Sequence, residues 1–137
     1  MDSLDILLVD DETRRMRATI EMLRSDGFSV EQIASPSEAM QRLNTNPQIC
    51  KVIILDIMMP ADGEFDVPES QYGLRTGFLL LDKLHTIEGF RTPIIVLTAN
   101  ASFEEELGKK IERFLVKPVA YNILVGTLRD AIKKNGG

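Results

Sequence analysis

Four apolar runs in this chain each end in a residue that could do chemistry. Residues 4–9 lead into Asp10-Asp11-Glu12, residues 52–55 into Asp56, residues 93–97 into Thr98, and residues 114–116 into Lys117-Pro118. Brought together, Asp10, Asp11 and Asp56 would repel one another, and a carboxylate pKa would rise unless a cation lay among them. Lys117 offers only one positive charge against three carboxylates. A hard divalent ion resolves the imbalance. Mg²⁺ takes oxygen ligands and keeps several waters when few protein groups bind it, so it is the natural candidate, with Mn²⁺ as a substitute. A partly hydrated cation beside a carboxylate, with an ammonium and a hydroxyl nearby, is the equipment for phosphoryl transfer. Cation and lysine neutralise phosphoryl oxygens, and a carboxylate can act as nucleophile. No His, Cys or Ser is placed to compete for that role.

Such convergence needs a particular frame, and the pattern supplies one. The four runs are rich in Ile, Val and Leu without clean alternation, as expected of parallel strands covered on both faces. A fifth, more polar candidate at 28–34 reads as a sheet edge. Helical patterns fill the gaps. Met16, Ile20 and Leu23 share a face of a helix that Gly27 would stop. Ser35-Pro36-Ser37-Glu38 combines an N-cap, a first-turn proline and a capping-box glutamate. Leu80, Leu84 and Ile87 mark a third helix ended by Gly89. Ser102 with Glu105 suggests a second capping box, with Phe103 and Leu107 facing the core. Leu124, Leu128 and Ala131 mark the last helix, before 133–137 frays into a tail. Five βα repeats imply an α/β fold, a doubly wound parallel sheet with helices on both faces. Ligands then bind at the carboxyl ends of the strands, where the polar residues sit.

Composition narrows the function classes. At 137 residues the chain is one domain by size, and 44% hydrophobic with 27% charged residues is ordinary for a globular protein. A net charge of −5 argues against nonspecific nucleic-acid binding. Cys50 is the only cysteine, which excludes an internal disulfide and a thiolate metal cluster, and it reads as a small apolar residue near a strand start. No apolar run approaches the roughly 18 residues of a membrane span, and the expected location is the cytoplasm. His85 reads as a solvated helix residue, and Met16, Met22 and Met40 as core filling.

Leu7-Leu8-Val9-Asp10-Asp11-Glu12, Leu55-Asp56-Ile57-Met58-Met59-Pro60, Leu97-Thr98-Ala99 and Val116-Lys117-Pro118 together resemble the receiver domain of two-component response regulators. The resemblance runs end to end, with the motifs in the family's order. It implies a flavodoxin-like (βα)5 fold of strand order 2-1-3-4-5 over 1–134, with 135–137 as a flexible tail. Asp56 would be the phosphoacceptor, served by a histidine kinase or a histidine phosphotransfer protein. Asp11 would bind Mg²⁺ directly and Asp10 mostly through water, together with Asp56 and the Met58 backbone carbonyl. Lys117 would pair with the phosphoryl group, and Pro118 would follow a cis peptide bond. Thr98 and Phe114 would form the switch that informs an output partner, and the small Ala99 would leave the site open. Neither nucleic acid nor membrane would be a direct partner. The chain would be a regulatory domain, either standing alone or cut from a larger protein.

Competing readings are a receiver-like scaffold that works without phosphorylation, an aspartate-nucleophile phosphohydrolase and a flavin binder. Haloacid-dehalogenase-like phosphatases place a second acid two residues after the nucleophile, where this chain has Met58. The Asp10-Asp11-Glu12 run would repel a flavin phosphate. Two stretches depart from the family pattern. Residues 61–76 read as an insertion, because Gly63 comes early and the third helix begins only near Gly77. This is either a solvated loop or a lid or partner-contact element over the rim, whose acids would compete for the metal or repel a phosphodonor; removing 62–75 is expected to change phosphorylation or partner binding while leaving the fold intact. The stretch between Thr98 and Lys117 is short and lacks the usual Gly-Ala step, so the fourth helix should be shortened or distorted.

Overall fold

The computed structural model describes residues 4–135. Five parallel strands, β1 (Leu4–Val9), β2 (Val30–Ile33), β3 (Cys50–Leu55), β4 (Ile94–Thr98) and β5 (Arg113–Val116), form one sheet in the order β2-β1-β3-β4-β5. The helices are α1 (Thr13–Ser25), α2 (Pro36–Thr45), α3 (Thr76–Leu84), α4 (Glu104–Leu107) and α5 (Tyr121–Lys134). Strand alternation divides the core in two. Ile6 and Leu8 of β1 pack with Met16, Ile20 and Leu23 of α1 and Leu124 and Leu128 of α5. Leu7 and Val9 point the other way, toward Ala39 and Leu43 of α2, Leu80 and Leu84 of α3 and Leu107 of α4. Both faces of the sheet are therefore covered, which is why its central strands are apolar throughout.

Pairing registers place the ends of the strands side by side. Val9 lies opposite both Ile33 and Leu55, Leu55 opposite Val96, and Thr98 opposite Val116. The residue that follows each of β1, β3 and β5 thus emerges on the same rim. The polar strand β2 is an edge, as its composition implied.

Local chemistry sets the helix ends, and several expectations need correction. Ser35 caps α2 by accepting the Glu38 N–H at 3.2 Å, with Pro36 in the first turn. Gly27 closes α1 at φ +96°, donating to the Arg24 carbonyl at 3.0 Å. The third helix stops at Leu84 rather than at Gly89, because Thr86 and Ile87 donate to the carbonyls three residues back and tighten the chain into turns. Ser102 is not a cap. Asn100 Oδ1 accepts both its N–H (2.9 Å) and its hydroxyl (2.6 Å), leaving a 3-10 turn and a single turn of α4. Met22 faces solvent rather than the core. Lys133 and Lys134 belong to α5, and Asn135 closes it by donating its side chain to the Ala131 carbonyl at 2.9 Å. Residues 136 and 137 of the expected tail lie outside the described residues. No helix among the described residues is long and apolar enough to cross a membrane.

The stretch 61–76 is not a solvated loop throughout. It folds into two 3-10 turns, Gly63–Phe65 and Pro68–Ser70, and Phe65 is completely buried in the α2–α3 side of the core. Asp62 accepts from Ser35 Oγ (2.6 Å) and the Ser37 N–H (3.1 Å) at the positive end of α2. Burial works against that carboxylate, yet the serine hydrogen bonds prevail and hold its pKa below the usual range. Glu64 pairs with Lys83 of α3 at 2.6 Å. These two acids are engaged at the flank of the fold, so neither stands over the strand ends as a free carboxylate. Deleting 62–75 would remove a core side chain, contrary to the expectation that the fold would survive unchanged. Phe65→Ala should accordingly cost about 3–5 kcal/mol of stability in urea unfolding. A loss under about 0.5 kcal/mol, the range of surface substitutions, would show that the segment is peripheral.

Candidate functional site at the carboxyl edge of the sheet

At the rim the four chain segments converge as the sequence suggested. Asp10 (1% exposed) and Asp56 (3%) are almost wholly buried, and Asp11 is half-buried beside them. Oxygens of all three carboxylates come within 4.8 Å of one another. Lys117 enters from β5, its amide donating to the Thr98 carbonyl at 2.8 Å across the sheet, and its peptide bond to Pro118 is cis. Its Nζ donates to Asp10 Oδ2 (2.7 Å), Glu12 Oε1 (2.8 Å) and Asp56 Oδ2 (2.9 Å). One ammonium therefore touches three carboxylates.

The electrostatics follow from burial and these contacts. Loss of water pushes Asp10 and Asp11 upward from the ordinary aspartate value, against the pull of Lys117. Glu12 is held below its usual range by its hydrogen bond to Lys117. Burial alone would lower the Lys117 ammonium, but its hydrogen bonds to Asp10, Glu12 and Asp56 outweigh that and hold it well above the usual lysine range. It stays charged. Four carboxylates against the Lys117 ammonium and the exposed Arg15 guanidinium, 3.3 Å from Glu12, still leave the rim negative, and oxygen-only donors at this spacing suit a hard divalent cation.

Backbone groups fix the carboxylates. Asp10 Oδ1 accepts the Glu12 N–H at 2.8 Å, and Asp56 Oδ1 accepts the Met58 N–H at 3.1 Å. The turn after Asp56 is clamped in its own right. Met59 N–H donates to the Gly73 carbonyl at 3.1 Å, and Gly77 N–H to the Ile57 carbonyl at 2.8 Å. A Cβ on Gly77 would stand 2.5 Å from Ile57 Cα and 2.7 Å from the Asp56 carbonyl oxygen. The glycine that lets α3 approach the acid is thus Gly77, and Gly63 instead turns beside Ser37 at φ +52°. Thr98 is fully buried and its hydroxyl has no partner among the described residues, an uncommon state for a native hydroxyl. Phe114 lies on the same sheet face as Thr98, one pair further from the rim, and packs partly buried against the α2–α4 side of the core. Ala99 is exposed and helps line a cleft of about 420 Å³ with Glu12, Arg15, Lys117 and Pro118.

Sequence reasoning assigned no role to Glu12 or Gln32. Glu12 is a third carboxylate on Lys117, which the unbroken Asp10-Asp11-Glu12 run already hinted at. Gln32, on the edge strand, donates Nε2 to the Asp10 carbonyl at 2.7 Å, and no local signal pointed to that contact. Cys50 is buried, and burial pushes its thiol up to about 12, so it behaves as a core residue.

Comparison with known proteins agrees with this geometry. The family model of the response regulator receiver domain matches residues 6–129. The chain is a response regulator receiver domain. No curated protein matches it. Among solved structures it is similar to a CheY-like response regulator receiver domain protein from Methanospirillum hungatei JF-1 (24% identity, 98% of this chain and 97% of that one, TM-score 0.75). It is also similar to a sensor protein from Polaromonas sp. JS666 (22%, 98% and 100%, TM-score 0.76). A third is the receiver domain of a sensor histidine kinase from Pseudomonas aeruginosa PAO1, with magnesium coordinated in its active-site cleft (24%, 96% and 99%, TM-score 0.72). At these identities the likeness is one of fold. The receiver is a regulatory phosphoacceptor module of two-component signalling, a class that works between kinases and outputs.

The clamp on the turn after Asp56 makes a direct prediction. Gly77→Ala should lower stability by about 1–3 kcal/mol, the usual range for overpacking, and shift the amide resonances of residues 56–59. Unchanged stability and unchanged resonances would show that the close approach is absent in solution.

Proposed function

We propose that Asp56 is the phosphoacceptor of this receiver and that Lys117 and Thr98 serve the phosphorylated state. The observation that carries the reading is the buried Asp56 carboxylate, in contact with Lys117 and within 4.8 Å of the Asp10 and Asp11 oxygens. Asp56 supplies the attacking lone pair from a carboxylate oxygen. The phosphorus–nitrogen bond of a donor phosphohistidine breaks, and the imidazole leaves with that electron pair. Lys117 already lies 2.9 Å from Asp56 Oδ2, placed to follow the phosphoryl oxygens and to surrender its contacts with Asp10 and Glu12. The orphaned Thr98 hydroxyl has a donor hydrogen to offer a phosphoryl oxygen, and Phe114 on the same face would respond to its movement.

Mg²⁺ fits the donor set. Asp10, Asp11 and Asp56, with the Met58 carbonyl, would hold it, and when bound it would neutralise negative charge developing on the transferring phosphoryl group. Mn²⁺ would replace it. The magnesium seen in the cleft of the Pseudomonas receiver supports this assignment. The partners on this reading are a cytoplasmic histidine kinase or phosphotransfer protein and an output protein or domain. The complete set of Asp10, Asp11, Asp56, Thr98 and Lys117 argues against a phosphorylation-independent scaffold.

Incubation with acetyl phosphate and Mg²⁺, followed by intact mass, tests the assignment. One hydroxylamine-labile phosphoryl group is expected, lost in Asp56→Asn and absent without a divalent cation. An adduct that persists in Asp56→Asn, or none with any donor, would overturn it.

A further inference from the structure

We infer that the turn at 66–74 is a docking surface for a basic protein segment that carries apolar side chains. Tyr72 projects entirely into solvent (105% exposed), and Val67 and Leu74 are exposed within the same short stretch. The backbone holding Tyr72 out is left-handed at two successive residues, Gln71 (φ 51°) and Tyr72 (φ 59°). A tight reversal is needed there to return Gly73 to Met59, but glycine or asparagine would supply it at less steric cost. The residue type therefore needs a reason beyond the turn. Tyr72 makes no hydrogen bond and no aromatic pair among the described residues, so nothing inside the chain offsets its conformation.

The platform is firm. Phe65 anchors it in the core, and the carbonyl of the buried Ser70 accepts the N–H groups of Gly73 (3.1 Å) and Arg75 (2.9 Å). A rigid, preformed turn that presents an aromatic side chain is the geometry of an interface anchor.

Charge selects the occupant. Asp66 and Glu69 flank the exposed apolar residues, and neither forms an ion pair among the described residues. Arg75, the cation next to the turn, is spent on Glu106 of α4 and on the face of Phe78, 4.1 Å from its ring centre. A second copy in a two-fold contact would set these acids against themselves, and a nucleic acid would be repelled. A Lys- or Arg-rich segment with apolar anchors satisfies both the charge and the exposed apolar area.

A short amphipathic lysine–leucine peptide, titrated into the isotope-labelled full chain by NMR, tests this, with a glutamate–leucine peptide as charge control. Shifts are expected at residues 66–75 with the basic peptide alone. Tyr72→Ala should weaken binding about tenfold, as for loss of a central aromatic anchor, while Tyr72→Phe binds as wild type. Asp66→Lys with Glu69→Lys should abolish the preference for the basic peptide. Because each variant's spectrum reports its fold, a misfolded Tyr72→Ala is recognised, and the charge-reversed protein then decides. Shifts confined to other faces, equal binding by folded Tyr72→Ala, or self-association that Tyr72→Ala removes would each overturn the proposal.

Discussion

Asp10 and Asp56 lie side by side with almost no exposure, and negative charges so placed repel one another unless positive charge meets them. In this receiver the charge is the Lys117 ammonium, which reaches Asp10, Glu12 and Asp56 at once. The rest of the fold serves that contact. Parallel pairing of β1, β3, β4 and β5 brings the four strand ends to one rim, and the hydrogen bond from the Lys117 N–H to the Thr98 carbonyl fixes the lysine's backbone there. The same contact makes the site responsive. On the proposed assignment, a divalent cation or a phosphoryl group at Asp56 would change the charge that Lys117 must balance, and the lysine's position would report the state of the acceptor.

The turn after Asp56 is equally constrained, from below rather than from across the sheet. Gly77 allows α3 to press against Ile57, and the Gly73 carbonyl holds Met59. Residues 61–76 therefore have a structural duty next to the acid, apart from any partner they meet. Phe65 beneath and Asp62 on the α2 end fasten the segment at two further points.

Much of the site was legible because each polar residue directly follows an apolar run. Asp10, Asp56, Thr98 and Lys117 announce themselves as strand ends, and strand ends converge in any parallel sheet. The fold followed from the same alternation of runs and helical faces. What escaped was set by contacts distant in sequence. Phe65 sits alone among acids and has no periodic context to mark it as core. Ser102 matches a capping pattern, yet Asn100 lies two residues earlier and takes both its N–H and its hydroxyl. Gln32 acts on Asp10 from a neighbouring strand, and Met22 satisfies an apolar pattern while facing water.

Calorimetric titration of Mg²⁺ into the wild type and into folded Lys117→Met tests the central contact most directly. If the lysine is the cation that balances Asp10 and Asp56 in the metal-free site, its removal frees those carboxylates and Mg²⁺ binds more tightly to the variant. Unchanged or weaker binding would contradict the account.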